Sequence, residues 1–136
     1  MRLDTEATLQ AEFYHACRNH GLPCVLELET PAGRLDAVIL TEDRLAITDI
    51  VEVKRVAIEA YNGNTPQIQR YKKLGCPVHH LHSGIGPHAL AIHIWNQRGT
   101  PVTLKHIASL SHMKKERKQA RATRRLERLR ENLSIR

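Results

Sequence analysis

Hydrophobic and polar positions along the chain fall into short, well-bounded patterns. Leu9, Phe13, Ala16 and Cys17 recur at helical spacing within a stretch from Thr5 to Asn19 that holds neither Gly nor Pro, and Gly21 stands where a helix would end. A first helix is predicted there. CVLELET (Cys24 to Thr30) and RLDAVILT (Arg34 to Thr41) read as strands joined by a tight turn at Pro31 to Gly33. After a polar turn at Glu42 and Asp43, the run RLAITDIVEVKR supplies a third strand, and connections this short make the three an antiparallel meander.

The pattern breaks at Asn62 to Pro66, where Thr65 and Pro66 suit an N-cap and a first helical position; a second helix runs from there to about Leu74 and is closed by Gly75. PVHHLH (Pro77 to His82) is a fourth strand, and its approach through a helix makes it parallel to the third. PHALAIHIWNQ (Pro87 to Gln97) starts with proline and stops before Gly99, which predicts a helix, although LAIHIW also fits a strand. From Leu104 to Leu133 no Gly or Pro interrupts a run rich in Lys, Arg, Glu, Ala and Leu, so one long helix is expected. Its upstream stripe of Ile107, Leu110 and Met113 would dock on the domain, whereas the later part, with only the narrow stripe of Leu126, Leu129 and Leu133, would project. The predicted class is α/β: a central mixed four-stranded sheet flanked by helices over residues 1–103, then a basic C-terminal helical extension over 104–136. No internal repeat is present.

A length of 136 residues suits one such domain with an appendage. No apolar stretch reaches the roughly 18 residues of a membrane span, and MRLDTEATLQ has acids where a signal peptide needs a basic and then an apolar run, so a soluble, cytoplasmic chain is expected. Cys17, Cys24 and Cys76 lack CxxC spacing, which argues against a disulfide framework and a zinc ribbon. The formal net charge is +7, and all of it lies in the tail: ten Lys or Arg and three acids follow from Met113 onward, against eleven of each sign before. Nucleic acid is therefore the expected partner of Lys114, Lys115, Arg117, Lys118, Arg121, Arg124 and Arg125, through sequence-independent backbone contact. The apolar face is too thin to enter lipid. Two other readings of the tail stand beside this one: a solvated helix laced by i to i+4 acid–base pairs, and a dimer contact through the three leucines.

Candidate chemistry comes from the third strand, where Glu52 and Lys54 interrupt an apolar run. An ionised group taken out of water is costly unless compensated. Strand alternation puts Glu52 and Lys54 on the face of Ile50, while Asp36 shares a face with Val38 and Leu40, and antiparallel pairing can set Asp36 beside Glu52. Adjacent carboxylates repel, and a divalent cation is the usual relief; an oxygen-ligand site completed by water and phosphate oxygens suits Mg²⁺ or Mn²⁺. Such an ion polarises a phosphoryl oxygen and acidifies water, and Lys54 would position or help deprotonate the attacking water or offset transition-state charge. The bland alternative is a surface strand with an ordinary ion pair.

Asp36, fifteen intervening residues and then Glu52-Val53-Lys54, after a helix containing glutamates, resemble the PD-(D/E)xK nuclease superfamily, although Leu35 stands where the motif's proline would. QIQRY places Gln67 and Tyr71 at the spacing of the QxxxY element of RecB-like members, and the stretch from about Thr5 to His82 is most similar to small phage or bacterial nucleases of the virus-type replication-repair kind. The resemblance implies a restriction-endonuclease-like core and metal-dependent hydrolysis of DNA phosphodiester bonds. Asp36 and Glu52 would hold the metal with the Val53 carbonyl, Lys54 would be the catalytic lysine, and Gln67 and Tyr71 would contact nucleic acid. It further implies a first-helix glutamate near the metal. Glu6 is the candidate because it projects into the stripe of Leu9, Phe13 and Ala16, with Glu12 toward the edge.

Expected partners are DNA, Mg²⁺ or Mn²⁺, and a second copy of the chain, because cutting both strands calls for two sites. No membrane and no organic cofactor are expected, and the setting would be the cytoplasm of a bacterial or phage-infected cell. Two alternatives stay open: an enzyme specific for junctions or flaps, and a catalytically silent nuclease fold that binds nucleic acid or another partner. Zinc is disfavoured, since paired cysteines and an HxxxH helix are missing; His79, His80, His82 and His93 are read as packing, hydrogen-bonding or phosphate-contacting residues.

Overall fold

A computed structural model describes residues 5–54 and 66–134. The capping role read for Thr65 and the end of the third strand at Arg55 lie outside those residues. In chain order the elements are α1 (Glu6–Asn19), β1 (Cys24–Thr30), β2 (Gly33–Leu40), β3 (Ala46–Val53), α2 (Pro66–Lys72), β4 (Val78–Leu81), α3 (Pro87–Asn96), β5 (Val102–Thr103), α4 (Leu104–Ala108) and α5 (Ser111–Ser134).

Local chemistry accounts for the boundaries. The Thr5 hydroxyl accepts the Thr8 N–H at 3.1 Å and caps α1, which turns Leu9, Phe13, Ala16 and Cys17 inward. At the β1–β2 turn the Thr30 hydroxyl donates to the Gly33 carbonyl at 2.7 Å and accepts the Ala32 N–H at 3.2 Å. Gly33 there has φ of 133°, which a side chain would resist. The sheet order is β1-β2-β3-β4, antiparallel through the meander and parallel between β3 and β4, as the connection lengths require.

Two features depart from expectation. A fifth strand of two residues, β5, pairs antiparallel with Ala46 and Ile47 on the edge of β3 that also carries β4. The C-terminal run is two helices rather than one. Ser109 ends α4, its hydroxyl donating to the His106 carbonyl at 2.5 Å, a local bond of the kind that competes with helix propagation. The break lets Ile107 and Met113 bury themselves and Leu110 pack beside them, so the upstream stripe does dock on the domain.

Helices cover both faces of the sheet. One core joins Leu9 and Phe13 of α1 and Leu90 and Ile94 of α3 to Val51, Val53 and Leu81; the other joins Ile68 and Tyr71 of α2, Ile107 and Met113 to Val38, Ile47 and Ile50. Strand β3 is consequently buried along its whole length. Asp49 is fully buried in it and takes His79 Nε2 at 2.9 Å and the Gly99 N–H at 3.3 Å. Gly99 runs so close to β3 that a Cβ there would collide with the Thr48 carbonyl and press on Pro77. Gly99→Ala is expected to lower stability by about 1–3 kcal/mol, the range for overpacking, measured as a lower urea midpoint; an unchanged midpoint would contradict the close approach.

Candidate active site

The β2–β3 ladder pairs Ala37 with Val51, which sets Asp36 and Glu52 at the next position, on the face of Val38 and Ile50. There the Val53 N–H donates to Asp36 Oδ2 at 2.8 Å, so the carboxylate itself closes the ladder. From α1, Gln10 Nε2 donates to the Asp36 carbonyl at 2.7 Å. Asp36 is thereby fixed from two sides.

Glu52 is only 5% exposed. Its Oε1 lies 3.5 Å from Lys54 Nζ, whereas Oε2 is buried with no hydrogen-bond partner among the described residues. Burial first, and the negative charge of Asp36 second, push the Glu52 carboxyl from 4.5 up to about 7, against the pull of the Lys54 ammonium. Lys54 follows the last residue of β3, with its side chain about one-third exposed at 31%. His80 is in register with Glu52 across β3 and β4. Burial, and then the charge of Lys72, lower its pKa, which favours a neutral imidazole.

Helix α2 supports this floor. Tyr71 is fully buried, its hydroxyl accepting from Gln67 Nε2 at 2.7 Å and donating to the Arg34 carbonyl at 3.1 Å. Burial and the nearby Glu52 charge push its pKa up to about 12, so it serves as a neutral donor. Tyr71 therefore ties α2 to β2 beneath the surface. Gln67 is exposed, and together with Asp36 and Glu29 it lines a cleft of about 600 Å³ walled by Arg34, Arg70, Arg117, Arg121 and Arg124. A smaller hollow of about 270 Å³ between Arg121, Arg124, Arg125 and Arg128 continues it along α5. Lys114, Lys115 and Lys118 are exposed on the same helix.

Asp36, Glu52, Val53 and Lys54 thus come together, and the arginines of the tail flank them. Glu6 and Glu12 do not join the buried stripe of α1: both are exposed, Glu6 because it precedes the start of the stripe at Leu9 and Glu12 because it lies to the side of it. Gln10 is the α1 side chain that meets the site, and its uncharged amide gave no signal in the sequence. Arg34, Arg70 and Glu29 were also missed, although Arg70 stands inside the QIQRY segment.

Among the described residues no three His, Cys, Asp or Glu side chains form a metal-ligating group. The donors present are two carboxylates and, from Val53, a strand-end carbonyl. An orphaned, buried Glu52 oxygen beside a second carboxylate fits a hard divalent cation that completes its coordination from water or ligand oxygens. Among the described residues no helix is long and apolar enough to cross a membrane. The chain matches no protein-family model, no curated protein and no solved structure.

The Glu52 pKa fixes the sign of a pH effect. As pH rises above 4.5 the unfolded chain releases this proton, while the folded chain keeps it until about 7, so stability falls across that window and the whole penalty is present above it. Glu52→Gln is therefore expected to stabilise the protein at pH 8 by on the order of 3 kcal/mol, with the gain gone at pH 4.5. Urea titrations at the two pH values check this; a gain that does not change with pH would rule out the buried charge as its source.

Proposed function

We propose that the chain is a metal-dependent nuclease of restriction-endonuclease-like fold that hydrolyses DNA phosphodiester bonds at Asp36, Glu52 and Lys54. One observation supports this above the others: two carboxylates from neighbouring strands meet beside an ammonium group, with a buried Glu52 oxygen left unpartnered, at the edge of an arginine-walled cleft. A purely structural ion pair would not need the second acid.

Asp36, Glu52 and the Val53 carbonyl would hold Mg²⁺ or Mn²⁺. When bound, the ion supplies Lewis acidity toward a phosphoryl oxygen and relief for the paired acids. The protein's own groups do the remainder. Asp36 is oriented by the Val53 N–H, so its free oxygen is presented without a search of rotamers. Lys54, partly exposed and 3.5 Å from Glu52, can orient the attacking water or set its ammonium against charge that builds on the phosphorus oxygens. The guanidinium wall draws in a polyanion and raises its local concentration. Cutting both strands of a duplex would call for a second copy of the chain.

A second reading is favoured by a specific observation. The carboxylate set is small, and the Lys54–Glu52 contact partly satisfies it without any ion. On that reading the fold binds nucleic acid and cuts nothing.

Supercoiled, linear, single-stranded and branched DNA incubated with Mg²⁺ or Mn²⁺ separates the two. Asp36→Ala and Lys54→Ala are each expected to slow cleavage by about 100-fold or more while DNA is still bound. Cutting that survives both substitutions would refute the site, and binding without cutting by the parent on all four substrates would establish the silent fold. Independently of turnover, Mg²⁺ is expected to raise the melting temperature of the parent and not that of Glu52→Gln; an equal rise in both would place the ion elsewhere.

A further inference from the structure

Around the cleft, two guanidinium atoms repeat the condition of Glu52 Oε2: Arg70 Nε and Arg117 Nε are buried and have no hydrogen-bond partner among the described residues. Buried polar groups in folded proteins are nearly always satisfied, and an open donor on a charged group is the more costly kind. Both side chains line the same cleft as Arg34, Arg121 and Arg124, so five arginines stand there against the two acids Glu29 and Asp36 and positive charge is left in excess. Open N–H donors and crowded positive charge have one common remedy, an anion with several acceptor oxygens.

Both arginines stand next to buried anchors. Arg70 directly precedes Tyr71, whose buried ring and two hydroxyl bonds anchor α2. Arg117 lies one turn beyond Met113, the buried anchor of α5. Its Nη1 comes within 3.2 Å of the point where a Cβ on Gly33 would sit, and the Tyr71 hydroxyl lies 3.3 Å from that point. A residue other than glycine would crowd the guanidinium out. Gly33 and Asp36 are three residues apart on β2, about 10 Å along an extended strand. A group held at Arg117 is therefore not the one that lies between Asp36 and Glu52.

We propose that Arg70 and Arg117 form a clamp for a flanking phosphate of a polynucleotide strand, gripping its non-bridging oxygens through guanidinium N–H pairs while the neighbouring stretch of backbone lies at Asp36. The clamp rests on the nucleic-acid part of the function proposed above and not on hydrolysis. At about 100° per residue, Arg117, Arg121, Arg124 and Arg128 fall within about 60° of one another, so the strand leaves the clamp along one ridge of α5.

The test is binding of short fluorescent single-stranded and duplex DNA to the full chain in EDTA, where nothing is cut, over a series of salt concentrations. Arg70→Gln and Arg117→Gln are each expected to lower affinity about tenfold or more and to reduce the salt slope by about one. Arg130→Gln removes the same charge from another face of α5 and is expected to change affinity by less than about twofold. Arg117→Lys separates a clamp from a mere charge: the salt slope should return and the affinity should not. It also stands in for Arg117→Gln if that variant melts early. Parental affinity in Arg117→Lys, or an equal loss in Arg130→Gln, would overturn the clamp. Because the readout needs no cation and no cutting, binding losses at Arg70 and Arg117 uphold the clamp even if Asp36→Ala shows the hydrolytic reading to be wrong, and parental binding by both glutamine variants overturns it even if cleavage depends on Asp36.

Discussion

Glu52 lies in a strand buried on both faces, next to a second carboxylate, and the surrounding structure holds it there against a clear preference for water. The apolar neighbours make this tolerable. Each Val, Leu or Ile buried in the two cores contributes about 1.5–3 kcal/mol, and the sheet supplies many of them on either side of β3. The Val53 N–H holds the Asp36 carboxylate and Gln10 holds its main-chain carbonyl, so turning the two acids apart would break the Val53 bond. Repulsion that would be shed at a flexible surface is retained here as a fixed property of the fold.

The same constraint explains the different treatment of the two faces. On one, α1 and α3 close over Val51, Val53 and Leu81 as ordinary apolar core. On the other, α2 and the C-terminal helices cover Val38 and Ile50 but leave Asp36 at the edge of the arginine-lined cleft. The buried Asp49–His79 pair serves as a contrast. It is an acid placed in the same strand, fully supplied with partners by His79 and the Gly99 N–H, and it has no orphaned oxygen. Two acids three residues apart in β3 thus have opposite fates, and the difference lies in their hydrogen-bond partners rather than in burial.

The meander, the parallel fourth strand and the placing of Asp36 opposite Glu52 were legible in the sequence because each follows from alternation and connection length. Helix α3 was legible from proline at its start, despite an apolar run that also suits a strand. Other features carry no periodic signal. Strand β5 has two residues, a single cycle of alternation with no repeat to read, and exists because it finds the open edge at Ala46 and Ile47. The interruption before α5 depends on where Ile107 and Met113 meet the core, a tertiary fact that helix propensity does not contain. Glu6 was misplaced for a related reason: a helical wheel gives the angle of a side chain but not the point along the axis where the helix first meets the sheet. Gln10 and Arg70 were silent because a single amide or guanidinium group on a helix looks like solvent-facing surface until a fold puts something opposite it.

The 24 residues of α5 form a rod of about 36 Å, held at the Met113 end with Arg117 against Gly33, and exposed from Arg121 to Leu133. A rod fixed at its base behaves as a lever. A swing of about 10° there would scarcely shift Arg117, yet it would carry the far end of the helix through on the order of 5 Å by its length alone. Positional precision therefore decays along the row of basic groups: those near the base keep their place relative to the cleft, while those near the tip sweep through an arc.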